Sequence, residues 1–254
     1  MRRVGPGLLL AVLGTAAALF YLSAGADGLA RLVAKPIPVL ALAAWVALRG
    51  RRPQGPLTAA GLLFASVGDV LLDLGPFLPG LAAFLLVHVL YILAFVSGER
   101  RPALARALPF AAWGLGTFSL LRPGLGTLAL PVGVYVVVIT IMMWRAAVRV
   151  GSPRTPGLAA WLGLAGAIAF GAGDTLIAIT RFLQPIEGVR VPIMLLYWLG
   201  QWGIAASAVT ASAGAREAID RSLPGAARGE GERLVRADRG AVHDSGDGPG
   251  EREA

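Results

Sequence analysis

FLPGLAAFLLVHVLYILAFVSG, residues 77–98, is followed at once by Glu99-Arg100-Arg101-Pro102. The apolar run at 77–97 is long enough to cross a hydrocarbon core of about 30 Å as a helix. The charged break that ends in proline belongs in water. The same alternation recurs along the chain. Apolar stretches at 7–24, 29–48, 57–74, 77–97, 103–121, 125–146, 157–180 and 191–213 are separated by breaks rich in Gly, Pro and Arg, as at Arg49-Gly50-Arg51-Arg52-Pro53. The pattern predicts an all-α, polytopic membrane helix bundle with eight transmembrane helices.

Composition points the same way. Of the 254 residues, 56% are hydrophobic and 15% charged, with a mean hydropathy of +0.69. An ordinary soluble domain is about 25% charged. Residues 214–254 hold nine of the 15 acidic residues and seven of the 23 basic ones. The basic residues before them sit in short runs between apolar stretches. The lipid bilayer is therefore the expected partner, and nucleic acid is not. The absence of cysteine excludes disulfides, thiolate chemistry and Cys-based metal sites. The domain reading is a transmembrane unit at 1–213 and a tail at 214–254. The tail is rich in Gly, Ala and charge, and is expected to be a disordered cytoplasmic segment.

Alternate loops differ in charge. With the N-terminus inside, the inner segments hold Arg2, Arg3, Arg49, Arg51, Arg52, Arg100, Arg101, Arg106, Arg145, Arg149 and Arg154. The outer loops hold Arg31, Arg122, Arg181 and Arg190. This positive-inside bias predicts a multi-pass protein of the cell's inner or plasma membrane, N-in and C-in. Arg2-Arg3, the first apolar run and Ala24-Gly25-Ala26 also resemble a secretory signal with a cleavage site. Orientation of the remaining spans is the same either way.

Ionisable groups within spans are the informative ones, since each costs about 2.5–3.5 kcal/mol at mid-helix. They are Lys35, Asp69, Asp73, His88 and Asp174, joined by the uncharged polar groups of Tyr91, Tyr135, Tyr197 and Gln201. In the N-in orientation the charged residues fall in the outer half of the membrane or near its middle, as for one shared cavity. Asp69 and Asp73 are spaced i, i+4, His88 and Tyr91 i, i+3, and Tyr197 and Gln201 i, i+4, which gives each helix one polar face. Asp73, beside Gly75-Pro76, reads as a solvated helix end. Lys35 has a bland reading as a snorkelling side chain, and His88 as an interhelical hydrogen-bond partner.

Gly68-Asp69-Val70-Leu71-Leu72 matches Gly173-Asp174-Thr175-Leu176-Ile177. Two parallel four-helix repeats about an axis normal to the membrane would set these aspartates face to face. Two carboxyl groups in a low-dielectric pocket beside a lysine need not carry the same charge. One protonated and one ionised carboxyl make a general acid/base pair, suited to hydrolysing an acid-sensitive bond in a lipid-like substrate. Nucleophile-elbow, Walker A and H-E-x-x-H motifs are absent from the sequence. His88 is the only histidine within the spans. No metal and no cofactor is expected.

These residues resemble the YhhN-like, lysoplasmalogenase family of integral membrane proteins. The matching pieces are Lys35-Pro36, Gly68 to Leu72, Phe84 to His88 with Tyr91, Tyr135 with Met143, Phe170 with Asp174, and Tyr197 with Gln201. They cover most of residues 29–205. One departure is Gly173, where the family often has Ser. The resemblance implies a lysophospholipid substrate, with hydrolysis of the vinyl-ether bond of a lysoplasmalogen to a fatty aldehyde and a glycerophospho-amine. Asp69 and Asp174 would be the catalytic acid and base. Lys35 would hold one carboxylate ionised or bind the phosphate. His88, Tyr197 and Gln201, with Tyr91 and Tyr135, would bind substrate or position water. The competing reading from a different class is a proton-coupled transporter of a small solute, which intramembrane carboxylates also suit. A non-catalytic scaffold would leave the aspartates unexplained.

Overall fold

Proline at position 36 ends one helix and starts the next, and this break positions the site. The computed structural model describes residues 6–23, 28–51, 53–75 and 77–222. The first helices are α1 (Pro6–Ser23), α2 (Leu29–Ala34) and α3 (Ile37–Arg49). The expected span at 29–48 is thus interrupted at Lys35-Pro36. Proline has no N–H to bond back into α2, and its ring opposes helix continuation. The helix resumes where Leu40 N donates to Pro36 O at 2.9 Å. Lys35 sits in the gap and is buried.

The remaining long helices are α4 (Gln54–Leu74), α5 (Phe77–Gly98), α6 (Leu108–Leu121), α7 (Ala129–Val148), α8 (Gly157–Phe182) and α9 (Arg190–Ser222). A 3₁₀ turn, Leu104–Ala107, leads into α6, and two more, Arg122–Gly124 and Gly126–Leu128, lead into α7. Among the described residues all regular structure is helical. Seven segments are long and apolar enough to cross a membrane, and Gly7–Leu22 is a shorter apolar helix. Among the described residues seven of the eight expected spans are thus matched by segments of crossing length, the first falling to a shorter helix, and the chain is a multi-pass integral membrane protein. The last helix runs past residue 213 to Ser222. The tail from residue 223, the Ala24-Gly25-Ala26 motif and Arg2-Arg3 lie outside the described residues.

Between apolar helices in lipid, close approach of small residues drives packing. On α4, Gly61 lies against the ring of Tyr91 and Gly68 against that of Phe84, so α5 drops its aromatics into holes in α4. On α8, a Cβ at Gly166 would meet Gly200 O and Ile204 N at 2.8 Å, and one at Gly203 would meet Gly166 Cα at 2.8 Å. The backbones of α8 and α9 touch there. Gly68 adjoins Asp69 on α4 and Gly166 lies on α8 about two turns before Asp174, so helix packing helps set where the two carboxyls stand. At Gly173 a Cβ would meet Leu196 Cβ at 3.4 Å, an ordinary contact, so this backbone position does not itself demand glycine.

Where α5 ends and α8 begins, a second polar cluster ties the helices together. Glu99 is 1% exposed. It accepts hydrogen bonds from the Ser152 hydroxyl and, at 3.0 Å, from Arg101 N. Arg145 donates to the carbonyls of Arg101 and Glu99. Arg149 donates to Ser207 Oγ at 2.8 Å and stacks on Phe95. The Ser152 hydroxyl and then the Arg101 N–H hold the Glu99 carboxyl down at about 2 against the opposing effect of burial.

Candidate active site

The Lys35 ammonium projects from the α2–α3 break toward α4. Its Nζ lies 3.0 Å from Asp73 Oδ1 and 3.5 Å from Asp69 Oδ1. Tyr197 of α9 donates its hydroxyl to Asp69 Oδ2 at 2.7 Å. Asp69 is 2% exposed, so both its oxygens are held in a buried, polar setting.

Asp174 of α8 has different company. Tyr135 of α7 donates to its Oδ2 at 2.6 Å. His88 Nε2 faces the same oxygen at 3.7 Å. His88 Nδ1 is 2.6 Å from Phe84 O. A carbonyl only accepts, so Nδ1 carries the proton and Nε2 of the neutral ring is an acceptor. Oδ1 of Asp174 has no partner among the described residues. No Lys or Arg stands within ion-pair distance of Asp174 among the described residues.

The two carboxyls open on one cavity of about 140 Å³. Lys35, Asp69, Tyr135, Asp174 and Tyr197 line it, and the rest of its wall is mostly apolar. Phe84, Phe170 and Tyr197 form an edge-to-face cluster there, with centroid separations of 5.6 to 6.1 Å. The cavity extends to Phe77 and Phe182, where α5 begins and α8 ends. Relations across the bundle are reciprocal. α9 sends Tyr197 to the aspartate of α4, and α5 turns His88 toward the aspartate of α8.

Three of the expected substrate-binding residues stand behind this lining. His88, Tyr91 and Gln201 are fully buried. Tyr91 donates to Gln201 Oε1 at 2.5 Å. Asp73 differs from the solvated helix end that its place beside Gly75-Pro76 suggests. Its side chain is 12% exposed and paired with Lys35, not solvated. The signal was its i, i+4 spacing from Asp69, which puts both on one helix face. Thr175, which lines the cavity, accepts from Trp113 Nε1 at 3.2 Å and donates to Gly171 O at 2.8 Å. Among the described residues no group of three or more His, Cys, Asp or Glu is placed to hold a metal ion.

Several characterised proteins are similar to this chain. Human lysoplasmalogenase TMEM86A is 37% identical over 165 residues, which is 62% of this chain and 67% of the relative. Human lysoplasmalogenase TMEM86B is 32% identical over 181 residues, 69% and 74% of the two chains. A lysoplasmalogenase of Mycobacterium bovis is 33% identical over 164 residues, 60% and 58% of the two chains. No solved structure matches. The YhhN family model matches residues 30–208, a range that holds all the site residues above, and the chain belongs to the YhhN family.

Proposed function

We propose that the protein is a membrane hydrolase that cleaves the vinyl-ether bond of a lysoplasmalogen, releasing a fatty aldehyde and a glycerophospho-amine. The observation that carries this reading is one apolar cavity lined by two differently held carboxyls. Asp69 has both oxygens occupied and an ammonium beside it, the setting of a fixed carboxylate. Asp174 has a free oxygen and no Lys or Arg partner, the setting of a proton donor. Its Oδ1 delivers a proton to the alkenyl carbon remote from oxygen, and the double-bond electrons form the new C–H bond. The ether oxygen then shares its lone pair, giving an oxocarbenium ion. Asp69 and the aromatic faces of Phe84 and Tyr197 stabilise that cation.

Water adds to the cationic carbon while Asp69 takes its proton. The hemiacetal collapses as Asp69 returns that proton to the departing glycerol oxygen and Asp174 takes the hydroxyl proton. Both carboxyls are then restored. Lys35 keeps Asp69 ionised, with Asp73 as its second counter-ion. His88 and Tyr135 orient Asp174, and Tyr91 and Gln201 pack behind. The positive-inside bias supports N-in and C-in, with the Phe77–Phe182 end of the cavity toward the outer face.

The test is aldehyde release from a 1-alkenyl lysophospholipid by detergent-purified protein. Turnover without a sealed membrane supports the hydrolase. Its absence with several headgroups would favour a solute transporter.

A further inference from the structure

Among the described lining residues Lys35 is the only cation. It is already shared between Asp69 and Asp73. An anionic headgroup entering this cavity needs a different partner. On α8, Gly171, Asp174, Thr175, Ala178 and Phe182 line the cavity, a spacing that defines one helix face. Arg181 lies on that stripe, seven residues after Asp174 and so about 10 Å farther along the axis. Helical side chains lean back toward the N-terminus, which carries its head toward the cavity.

Arg181 Cζ is 4.1 Å from the ring centroid of Phe77 and 6.0 Å from that of Phe182. Those two rings meet edge to face at 5.7 Å, and both line the end of the cavity. Arg181 is exposed, and no carboxylate pairs with it among the described residues. Arg190, by contrast, is turned to Tyr21: it donates to the carbonyl at 3.4 Å and sits 5.1 Å from the ring centroid.

We propose that Arg181 is the phosphate-binding residue of the substrate site, taking the phosphate of a glycerophospholipid while Asp174 faces the ether bond. This rests on the lysophospholipid reading above. Ether and phosphate of such a lipid are separated by the glycerol carbons and one ester oxygen, so the two groups need partners at different depths along α8, and Asp174 and Arg181 are so placed. Contact with Phe77 fixes the guanidinium while its N–H fork stays available for two phosphate oxygens.

The test uses two saturated, uncleavable ethers, 1-alkylglycerol and 1-alkyl-glycero-3-phosphoethanolamine. Their equilibrium dissociation constants are measured on the full chain in detergent. The unmodified protein binds the phosphorylated ether more tightly. In Arg181→Gln that affinity falls about ten- to a hundredfold, as for loss of a charge-assisted bidentate contact. Affinity for 1-alkylglycerol stays within about twofold. Arg181→Lys keeps part of the preference, since a lysine offers a point charge without the fork. The assignment falls if neither ether binds, if both weaken equally, or if the phosphate preference survives in Arg181→Gln. Aldehyde release is read separately, and its absence in the unmodified protein would remove the hydrolase without removing a phosphate preference that depends on Arg181.

Discussion

Tyr197 and Asp69 are 128 positions apart and share a 2.7 Å hydrogen bond. Tyr135 and Asp174, 39 positions apart, repeat the arrangement at 2.6 Å. Each of the two cavity-lining carboxyls is thus held by a phenol from another helix. Removing either hydroxyl should lower turnover about five- to tenfold, the effect of one hydrogen bond of roughly 1 kcal/mol. Steady-state rates of Tyr197→Phe and Tyr135→Phe check this. Tyr91→Phe, whose hydroxyl bonds to Gln201 behind the cavity, should lower thermal stability and leave turnover near normal. Equal rate losses in all three variants would contradict the assignment.

Asp73 is bonded to Lys35 more closely than Asp69 is. Asp73→Asn removes one of two counter-ions and turns Lys35 wholly toward Asp69. Turnover should fall about tenfold, equivalent to roughly 1.4 kcal/mol. That loss is smaller than for either lining aspartate and larger than for a solvated helix end. A rate within twofold of normal would return Asp73 to the solvated role its place beside Gly75-Pro76 first suggested.

Much of this was legible in the chain because apolar length and ionisable residues are both rare signals with strong physical causes. Among the described residues seven of the eight apolar runs are matched by segments of membrane-crossing length and the first by a shorter apolar helix, whereas the break at Lys35-Pro36 that turns Lys35 to α4 interrupts a run read as continuous. Lys35, Asp69 and Asp174 stood out because lipid cannot satisfy them, and they do line one cavity. The position of His88, Tyr91 and Gln201 behind the wall was not legible. Helical spacing says which residues share a face, but not which neighbour that face meets. Gly61 decides it for Tyr91, by leaving a hole that the ring fills. Side-chain reach likewise settled Lys35 on Asp73, a choice that spacing leaves open.

The backbone contact between α8 and α9 leaves no room for a side chain. Gly166→Leu should separate the helices and lower the unfolding temperature in detergent, by an overpacking cost of about 1–3 kcal/mol or more. Gly116 of α6 has nothing within 4 Å of its Cβ position. Gly116→Ala should be neutral or slightly stabilising. A Gly166→Leu protein as stable as the unmodified chain would contradict the close packing.

Glu99 ties α5 to the loop after α7, and its carboxyl is held at about 2, below an ordinary 4.5. A depressed acid contributes stability that is full above the unfolded value and is lost as pH falls toward the folded one. The unmodified protein should therefore lose stability between about pH 4.5 and pH 2, and its advantage over Glu99→Gln should shrink across that window. Unfolding temperatures of the two proteins at about pH 6, 4 and 2.5 measure it. A constant difference across that range would show that Glu99 contributes through shape alone.

The central claim is that Asp174 supplies the proton that opens the vinyl ether, with Asp69 as the carboxylate opposite. The direct measurement is aldehyde release by detergent-purified Asp174→Asn beside the unmodified protein. Asparagine keeps the shape and the bond from Tyr135 but has no proton to give. A general acid contributes about 10²–10⁴-fold. The account predicts at least a loss of about a hundredfold, with normal yield and unfolding temperature. Turnover close to that of the unmodified protein would contradict it.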